Sequence, residues 1–426
     1  MADYPGTVRG GYSTAGASAK PPAGALDSAW AQKLLMSALH CDEGADPYPT
    51  FHRLRAAAPI LRLPGGVIVL SRYADCEAAF RHRSLGVRPD PVAGFGLGRE
   101  LSEQTRRELN WVTRTMMLSN PPEHTRLRRL VSSAFTPRHV EQLHTEIVAH
   151  VDRALSEIAG QPGADFMSTV ALPFPAKVMA DLLGIPDADI ETCIAPCMAL
   201  SKPNTSKDVL GEIMDAQAKL RAYFTDLLAA KRRSPGDDLI TRLVASSDDD
   251  KLDDEEVMGT VVLLFGAGLE TTTNLLGNGL VALLRQPAQL ELLRERPELG
   301  KSAVEEMLRY DAPIHVDWRT ALEPATLAGI ELPAGQTLML LLGAANRDPA
   351  QFPDPDRFDI TRDQGQHMSF ITGIHFCLGS HLARLEARVM FGRLVARFRK
   401  IEFAGEPEIT PDLYRRGVIR LPVTIA

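Results

Sequence analysis

The chain has little of what would tie it to nucleic acid, to a membrane or to the outside of a cell. It has no basic excess: 47 Lys and Arg stand against 54 Asp and Glu, a formal net charge of -7. Nucleic acid is therefore not expected as a bulk partner. No apolar run reaches the length of a membrane span, and the opening "MADYPGTVRGGYSTAGASAKPPAG" lacks the apolar core of a signal peptide. The cysteines are Cys41, Cys76, Cys193, Cys197 and Cys377, odd in number and scattered. That excludes the disulfide framework of a small secreted domain and points to a reducing cytoplasm. The expectation is a soluble cytoplasmic protein acting on a small molecule, with a flexible tail rich in Gly, Ala, Ser and Pro over residues 1–25.

What is present is a large apolar reserve, 45% of 426 residues, enough for one large domain or two closely packed ones. "PILRLPGGVIVLSRY", residues 59–73, sets two short apolar runs around Pro64, Gly65 and Gly66, a hairpin signal, and "ADCEAAFRH" after it has helical spacing. From about Glu123 to Arg233 apolar residues recur at helical spacing, interrupted at Pro137, Pro162, Pro173 and Pro186. This reads as several helices, of which "DVLGEIMDAQAKLRAYFTDLLAAKRR" is the clearest amphipathic one. After two helices ending near Tyr310, strand-like runs flank the Pro-Ala-Gly turn at 333–335. The fold class is mainly α with minor β (α+β).

Residues 253–285 differ from the other helical stretches. Asp253 and Glu256 open them at capping-box spacing, and the rest is apolar nearly all round, so this helix belongs in the middle of the protein. Glu270, Thr271, Thr272 and Thr273 interrupt it directly after Phe265-Gly266-Ala267-Gly268-Leu269. A buried polar group without a partner costs roughly 1–3 kcal/mol, and a helix-interior Gly costs about 1 kcal/mol against Ala. Thr271 lies over Ala267 on one face, where its hydroxyl can bond the Ala267 carbonyl and open a polar notch. A helix crossing that needs small residues, with threonines satisfied by their own backbone, accounts for the same pattern.

"MSFITGIHFCLGSHLARLEAR", residues 368–388, places Cys377 just before a helix, where free N–H groups and the helix dipole favour a thiolate. Gly373 and Gly379 let the backbone bend closely around something flat. Cys377 and His381 are also four apart, as in a zinc pair, though no second pair of ligands is evident. The C-x-x-C-H of a c-type haem is absent. A buried core cysteine remains possible but explains neither glycine.

"FITGIHFCLG" resembles the haem-binding loop of the cytochrome P450 family, with Phe370, Gly373, His375, Cys377 and Gly379 in place. "AGLETT" resembles the family's oxygen-activating helix motif, "EEMLR" its E-x-x-R pair as Glu306 and Arg309, and "FPDPDRFD" supplies Arg357 to their ion-pair cluster. "NPPEHTRLRRLV" is similar to the helix that contacts the haem in bacterial members. The resemblance spans roughly residues 45–426 and departs at Ile371, where the family has glycine. A β-branched residue rarely accepts positive φ, so a negative φ is expected there, with the side chain packed on the helix after Cys377.

The resemblance implies a single cytochrome P450 domain over residues 26–426, with Cys377 as axial thiolate of haem b, a ligand that favours O–O cleavage. It implies that His124, Arg128, Arg319 and His375 hold the propionates, with Ala267, Phe370, Gly373 and Gly379 also against the haem. His124 and Arg128, four apart on a helix, can present two donors to one carboxylate. Glu270 and Thr271 would manage protons for oxygen activation. Val262, Phe265, Leu269, Ile314, Val316 and the loop around Phe95 would meet an apolar organic substrate. Arg126, Arg129, Arg384 and Arg388 form either a solvated face or the docking face for an electron donor. That donor would be a ferredoxin with an NAD(P)H-dependent ferredoxin reductase, or a flavodoxin. The expected enzyme is a monomeric monooxygenase of secondary metabolism or catabolism that uses O2. Coupling, desaturation, peroxide-driven oxidation and a non-catalytic haem sensor are the alternatives.

Overall fold

A reciprocal cap starts the helix on which the rest of the structure is hung. The Asp253 carboxylate accepts from the Glu256 N–H at 2.8 Å, and Glu256 accepts from the Asp253 N–H at 3.2 Å, so the expected capping box is formed. The helix it opens runs Asp254–Arg285, and most of its residues from Glu256 to Leu283 are buried, so it contacts other elements on every side. The computed structural model describes residues 28–39, 46–88, 102–201, 209–245, 252–363, 365–410 and 414–426. The expected tail over residues 1–25 and the loop around Phe95 lie outside the described residues.

Among those residues the chain forms sixteen α-helices and twelve short strands, which gives the mainly helical fold with minor β structure that the sequence suggests. The amphipathic stretch is the helix Val209–Arg233, and Pro137 and Pro173 each occupy a helix's first turn, where a missing N–H costs nothing. No described helix is long and apolar enough to cross a membrane.

The largest sheet has five strands in the order Ile60–Arg62, Ile68–Leu70, Thr337–Leu341, Val316–Ala321, Leu85–Gly86. Its first pair is the expected hairpin, with Gly65 and Gly66 at positive φ in the turn. Strand alternation splits the apolar residues between its faces. Ile68, Leu70, Leu338 and Leu340 pack with Tyr73, Phe80 and Phe352, whereas Val69, Met339, Leu341 and Val316 pack with Leu35, Phe51 and Leu54 of the N-terminal helices. The helical core around the central helix is the third and largest cluster.

A buried ion cluster fixes the segment that leads to the cysteine loop. Arg309 grips Glu306 with two bonds of 2.7 and 2.8 Å, both side chains fully buried, and also donates to the carbonyls of Asn346, Pro355 and Arg357. The third arginine is not Arg357, as the resemblance implied. The Arg357 side chain is 66% exposed and faces only Asp359, at 3.4 Å. Arg362 takes its place, with Nε 3.3 Å from Glu306 and its other nitrogens on the carbonyls of Pro353, Asp354 and Arg357. Asp354, just ahead of both arginines, turns at φ 46°, and the Arg357 carbonyl accepts from both Arg309 and Arg362. Asn346 then carries the order onward, accepting from the Met368 N–H at 2.6 Å and donating to Ser369 Oγ at 2.8 Å.

Candidate active site

The loop after Ser369 closes on itself. The Cys377 N–H donates to the Phe370 carbonyl at 3.0 Å, and the Ser380–Arg397 helix begins three residues later. Gly373 sits at φ 77°, and a Cβ there would lie 2.5 Å from the Phe80 carbonyl oxygen, so both conformation and space demand glycine. Gly379 has an ordinary φ of -81°, and a Cβ on it would meet nothing within 4 Å. Its lack of a side chain keeps space open beside the thiol and does not serve the turn.

Ile371 overturns the sequence expectation: its φ is +51°. Its N–H donates to the Met368 carbonyl at 2.8 Å, and Gly373 two residues on is also left-handed, so the neighbouring turns set this conformation. The strain, about 1–3 kcal/mol, is offset by packing of the half-buried side chain. That packing is with the cluster of Leu340, Phe352 and Met368, not on the cysteine helix as expected.

The Cys377 thiol is half-buried. Burial dominates and raises its pKa, although the Gly379 N–H and the charges of Arg128 and Arg384 pull against it. His381 is exposed. No group of three or more His, Cys, Asp or Glu among the described residues could hold a metal ion. Arg128 reaches the loop and donates to the Phe376 carbonyl at 2.6 Å. His124, from the same helix, lies against His375 with ring centroids 4.4 Å apart and the rings tilted by 56°.

The Nε2 atoms of both histidines are buried without a hydrogen-bond partner, as is Thr372 Oγ1. Burial, reinforced by Arg319, His124 and Arg128, drives the His375 pKa down to about 3. His124 is lowered by burial and by Arg128. Two imidazoles and two guanidinium groups thus converge beside a thiol. Arg319 is the most committed of the four, since Nη1 already bonds Asp317 at 3.1 Å and the Trp318 carbonyl, while its guanidinium stacks on Phe80.

The central helix supplies the other half of the site. Thr271 Oγ1 donates to the Ala267 carbonyl at 2.6 Å, as expected. Thr273 does the same to Leu269 at 2.8 Å. Ala267 is exposed midway along an otherwise buried helix, so the notch opens onto space. The two readings of the glycines divide between them. A Cβ on Gly268 would strike Met179 Sδ at 2.7 Å, which is a close helix crossing, whereas one on Gly266 would make only ordinary contact with Cys197, at 3.8 Å. Glu270 forms an ion pair with Arg415, Nε to Oε2 at 3.4 Å.

The residues expected to meet substrate are distributed over three apolar clusters. Val262, Phe265 and Leu269 are packed in the helical core, Val316 lies in the cluster of the N-terminal helices, and Ile314 packs against the other sheet face. The expected docking arginines are also partly committed. Arg384 binds Glu305 with both nitrogens, at 2.6 and 2.9 Å, and lies over the Phe370 ring. Burial would raise the Glu305 pKa, but Arg384 and His367 bring it down to about 2. Arg126 pairs with Glu256 at 3.2 Å and Arg388 reaches Glu141 at 4.0 Å, while Arg129 is exposed on the rim of a shallow depression with Pro121, Pro122 and Thr125.

Sequence reasoning missed Glu386, which is buried beneath the central helix with the Thr272 hydroxyl as a hydrogen-bond partner. Burial pushes its pKa up to about 8. The available signal was a lone carboxylate beside Leu385, Ala387 and Val389 on the cysteine helix.

A flat tetrapyrrole with two carboxylates fits these residues. Unpartnered imidazole nitrogens and guanidinium groups supply donors for the carboxylates, the space at Gly379 and Ala267 admits a flat body, and the thiol can ligate its metal.

The family model Cytochrome P450 matches residues 196–424. The vitamin D(3) 25-hydroxylase of Pseudonocardia autotrophica is 40% identical over 89% of this chain and 94% of its own length. The cytochrome P450 monooxygenase PikC of Streptomyces venezuelae is 38% identical over 91% and 93%. The crystal structure of P450BioI with a hexadec-9Z-enoic acid ligated acyl carrier protein superposes with a TM-score of 0.83 at 35% identity, covering 89% of this chain and 98% of that one. The site described above and these likenesses agree, and the chain belongs to the cytochrome P450 family.

Proposed function

We propose that this protein, a haem b monooxygenase by family, hydroxylates or epoxidises an apolar small organic molecule, using O2 and two electrons from a separate ferredoxin and its NAD(P)H-dependent reductase or from a flavodoxin. The overall change, substrate plus O2, two electrons and two protons giving product and water, requires a route for protons and exclusion of bulk water. When bound, the haem supplies the redox centre at which dioxygen is cleaved, and a thiolate ligand favours that cleavage. Everything else falls to this chain's own groups.

Cys377 is the ligand, held at a helix N-terminus where the Gly379 N–H, Arg128 and Arg384 stabilise its anion. His124, Arg128, Arg319 and His375 hold the two propionates, with Phe370, Gly373, Gly379 and Ala267 shaping the space. Thr271, its hydroxyl hydrogen on the Ala267 carbonyl, keeps lone pairs for a water in the notch, and Glu270 next to it relays protons, taking one up from water and passing it on. Arg129 and the depression beside it are the landing site for the donor, and the protein works as a monomer in the cytoplasm.

The observation that carries this reading is the pair of unpartnered Nε2 atoms on His124 and His375, set among Arg128 and Arg319 beside Cys377. The apolar substrate class is supported by relatives whose names cite vitamin D(3) and a hexadecenoyl chain on an acyl carrier protein, and a biosynthetic role by the biotin and polyketide biosynthesis P450s of Bacillus subtilis. The test begins with a screen of sterols, fatty acids and macrolides for ligands that shift the haem spectrum. Hits are then turned over with a surrogate ferredoxin, its reductase and NADH under 18O2. One labelled oxygen per product is expected. Spectral hits that yield no labelled product would overturn the assignment.

A further inference from the structure

The central helix presents Glu270, Asn274 and Asn278 at successive four-residue steps, hence on one face, and a single segment of chain, residues 414–417, meets all three. Arg415 Nε lies 3.4 Å from Glu270 Oε2, with the side chains only 22% and 15% exposed. Asn274 Oδ1 lies 2.1 Å from where a Cβ on Gly417 would be, so only glycine lets the segment come this close. Asn278 Nδ2 donates to the Arg416 carbonyl at 3.0 Å and to that of Asp311 at 3.1 Å.

The segment is held from behind as well. The strands Glu408–Ile409 and Val418–Arg420 pair on either side of it, and the Gly417 N–H bonds Thr410 Oγ1 at 2.9 Å. Its backbone is stitched to residues 313–315: the His315 N–H donates to the Tyr414 carbonyl at 3.0 Å, the Arg416 N–H to the Pro313 carbonyl at 2.9 Å, and Ile314 bridges to Arg415. The Arg416 side chain reaches Asp311 at 3.3 Å.

We propose that Arg415 is a positioning residue that holds the Glu270 carboxylate charged and in a fixed rotamer, and that the 414–417 segment is the clamp that presents it. The inference rests on the reading of Glu270 as a carboxylate that relays protons, taking one up from water and passing it toward the notch, so that it has to be ionised between transfers. A half-buried carboxylate that loses this cation either keeps a proton it should pass on or turns toward water, and each outcome disturbs proton relay. Arg415 therefore acts on turnover and coupling through Glu270, and its backbone pairing with Ile314 ties it to the wall that enters the Val316–Ala321 strand.

The test uses the haem-loaded enzyme and the variants Arg415→Ala, Arg415→Lys, Glu270→Gln and the double variant Arg415→Ala/Glu270→Gln. The first readout is independent of turnover: the infrared carboxylate stretch of Glu270, assigned by difference against Glu270→Gln at one pH. It shifts in Arg415→Ala and returns toward the wild-type position in Arg415→Lys. The second is kinetic: in Arg415→Ala, kcat and product per NADH drop at least fivefold while the spectral dissociation constant of a bound ligand stays within twofold, Arg415→Lys recovers most of the loss, and the double variant is no worse than Glu270→Gln alone. An unmoved carboxylate band overturns the pairing, whatever the enzyme's activity. A shifted band with wild-type kcat and coupling overturns the positioning role. A failure of the proton-relay reading is distinguishable from both, because Glu270→Gln would then itself retain full coupling.

Discussion

Replacing Arg362 by Ala should destabilise the protein far more than replacing Arg357, although Arg357 is the residue that the family motif places in the cluster. Arg362 is 11% exposed and contributes a charged hydrogen bond to a carboxylate with no solvent access. A bond of that kind is worth about 1.5–3 kcal/mol. The carbonyls of Pro353, Asp354 and Arg357 that it also serves lie near the surface, where water can replace it, and Glu306 keeps both bonds from Arg309 and one from the Asp359 N–H at 2.9 Å. The loss should therefore stay near the upper part of that range, about 2–3 kcal/mol. Arg357→Ala removes only an exposed pair with Asp359, worth about 0–0.5 kcal/mol.

For 426 residues the unfolding entropy is about 0.9 kcal/mol/K, so these figures correspond to drops in Tm of about 2–3 °C and under about 1 °C. The assay is thermal unfolding followed both by far-UV circular dichroism and by loss of the Soret band, at matched haem loading. Because the cluster holds the segment that feeds the cysteine loop, the Soret signal should fail at least as early as the helices in Arg362→Ala. Equal destabilisation by the two variants, or a larger effect of Arg357→Ala, would refute the placement of Arg362 as the third member.

Two further predictions concern the central helix and what lies beneath it. Thr271→Ala should leave haem content and ligand-induced spectral change near wild type while diverting NADH from product to peroxide or water; unchanged product and peroxide per NADH would reduce Thr271 to a helix residue bonded to its own backbone. Glu386, neutral in the folded state up to about pH 8 but ionised when unfolded above its usual range, binds more protons folded than unfolded between those limits. Its contribution to stability is therefore full below the unfolded pKa and is lost as pH rises toward 8. The Tm of Glu386→Gln relative to wild type should accordingly rise from pH 5 to pH 8, and a difference that stays flat or falls would show that Glu386 is ionised in the folded protein.

What the sequence made legible was local or periodic. The capping box at Asp253 and Glu256, the bond from Thr271 to Ala267, the hairpin at Gly65 and Gly66, and the cysteine at a helix start all depend on residues within a few positions of one another. What it hid depends on the path of the chain between distant elements. Arg357 and Arg362 are both arginines shortly after the same proline-rich stretch, and the path of the chain through it, not their spacing, sets Arg362 and not Arg357 against Glu306. Ile371 takes a positive φ because its neighbours' hydrogen bonds and the packing of its side chain outweigh a local preference. The approach of Arg415 to Glu270 needs both the stitching to residues 313–315 and the missing side chain at Gly417, and no spacing in the sequence expresses that.

The central claim is that Cys377 is the haem ligand and binds as a thiolate. Its most direct measurement is the absorption spectrum of the reduced, carbon monoxide-bound protein, wild type against Cys377→Ala and Cys377→His, each with haem content determined separately. The strongly red-shifted Soret band of thiolate ligation is predicted for wild type and its complete loss for both variants. Persistence of that band in either variant, or its absence from haem-loaded wild type, would contradict the account.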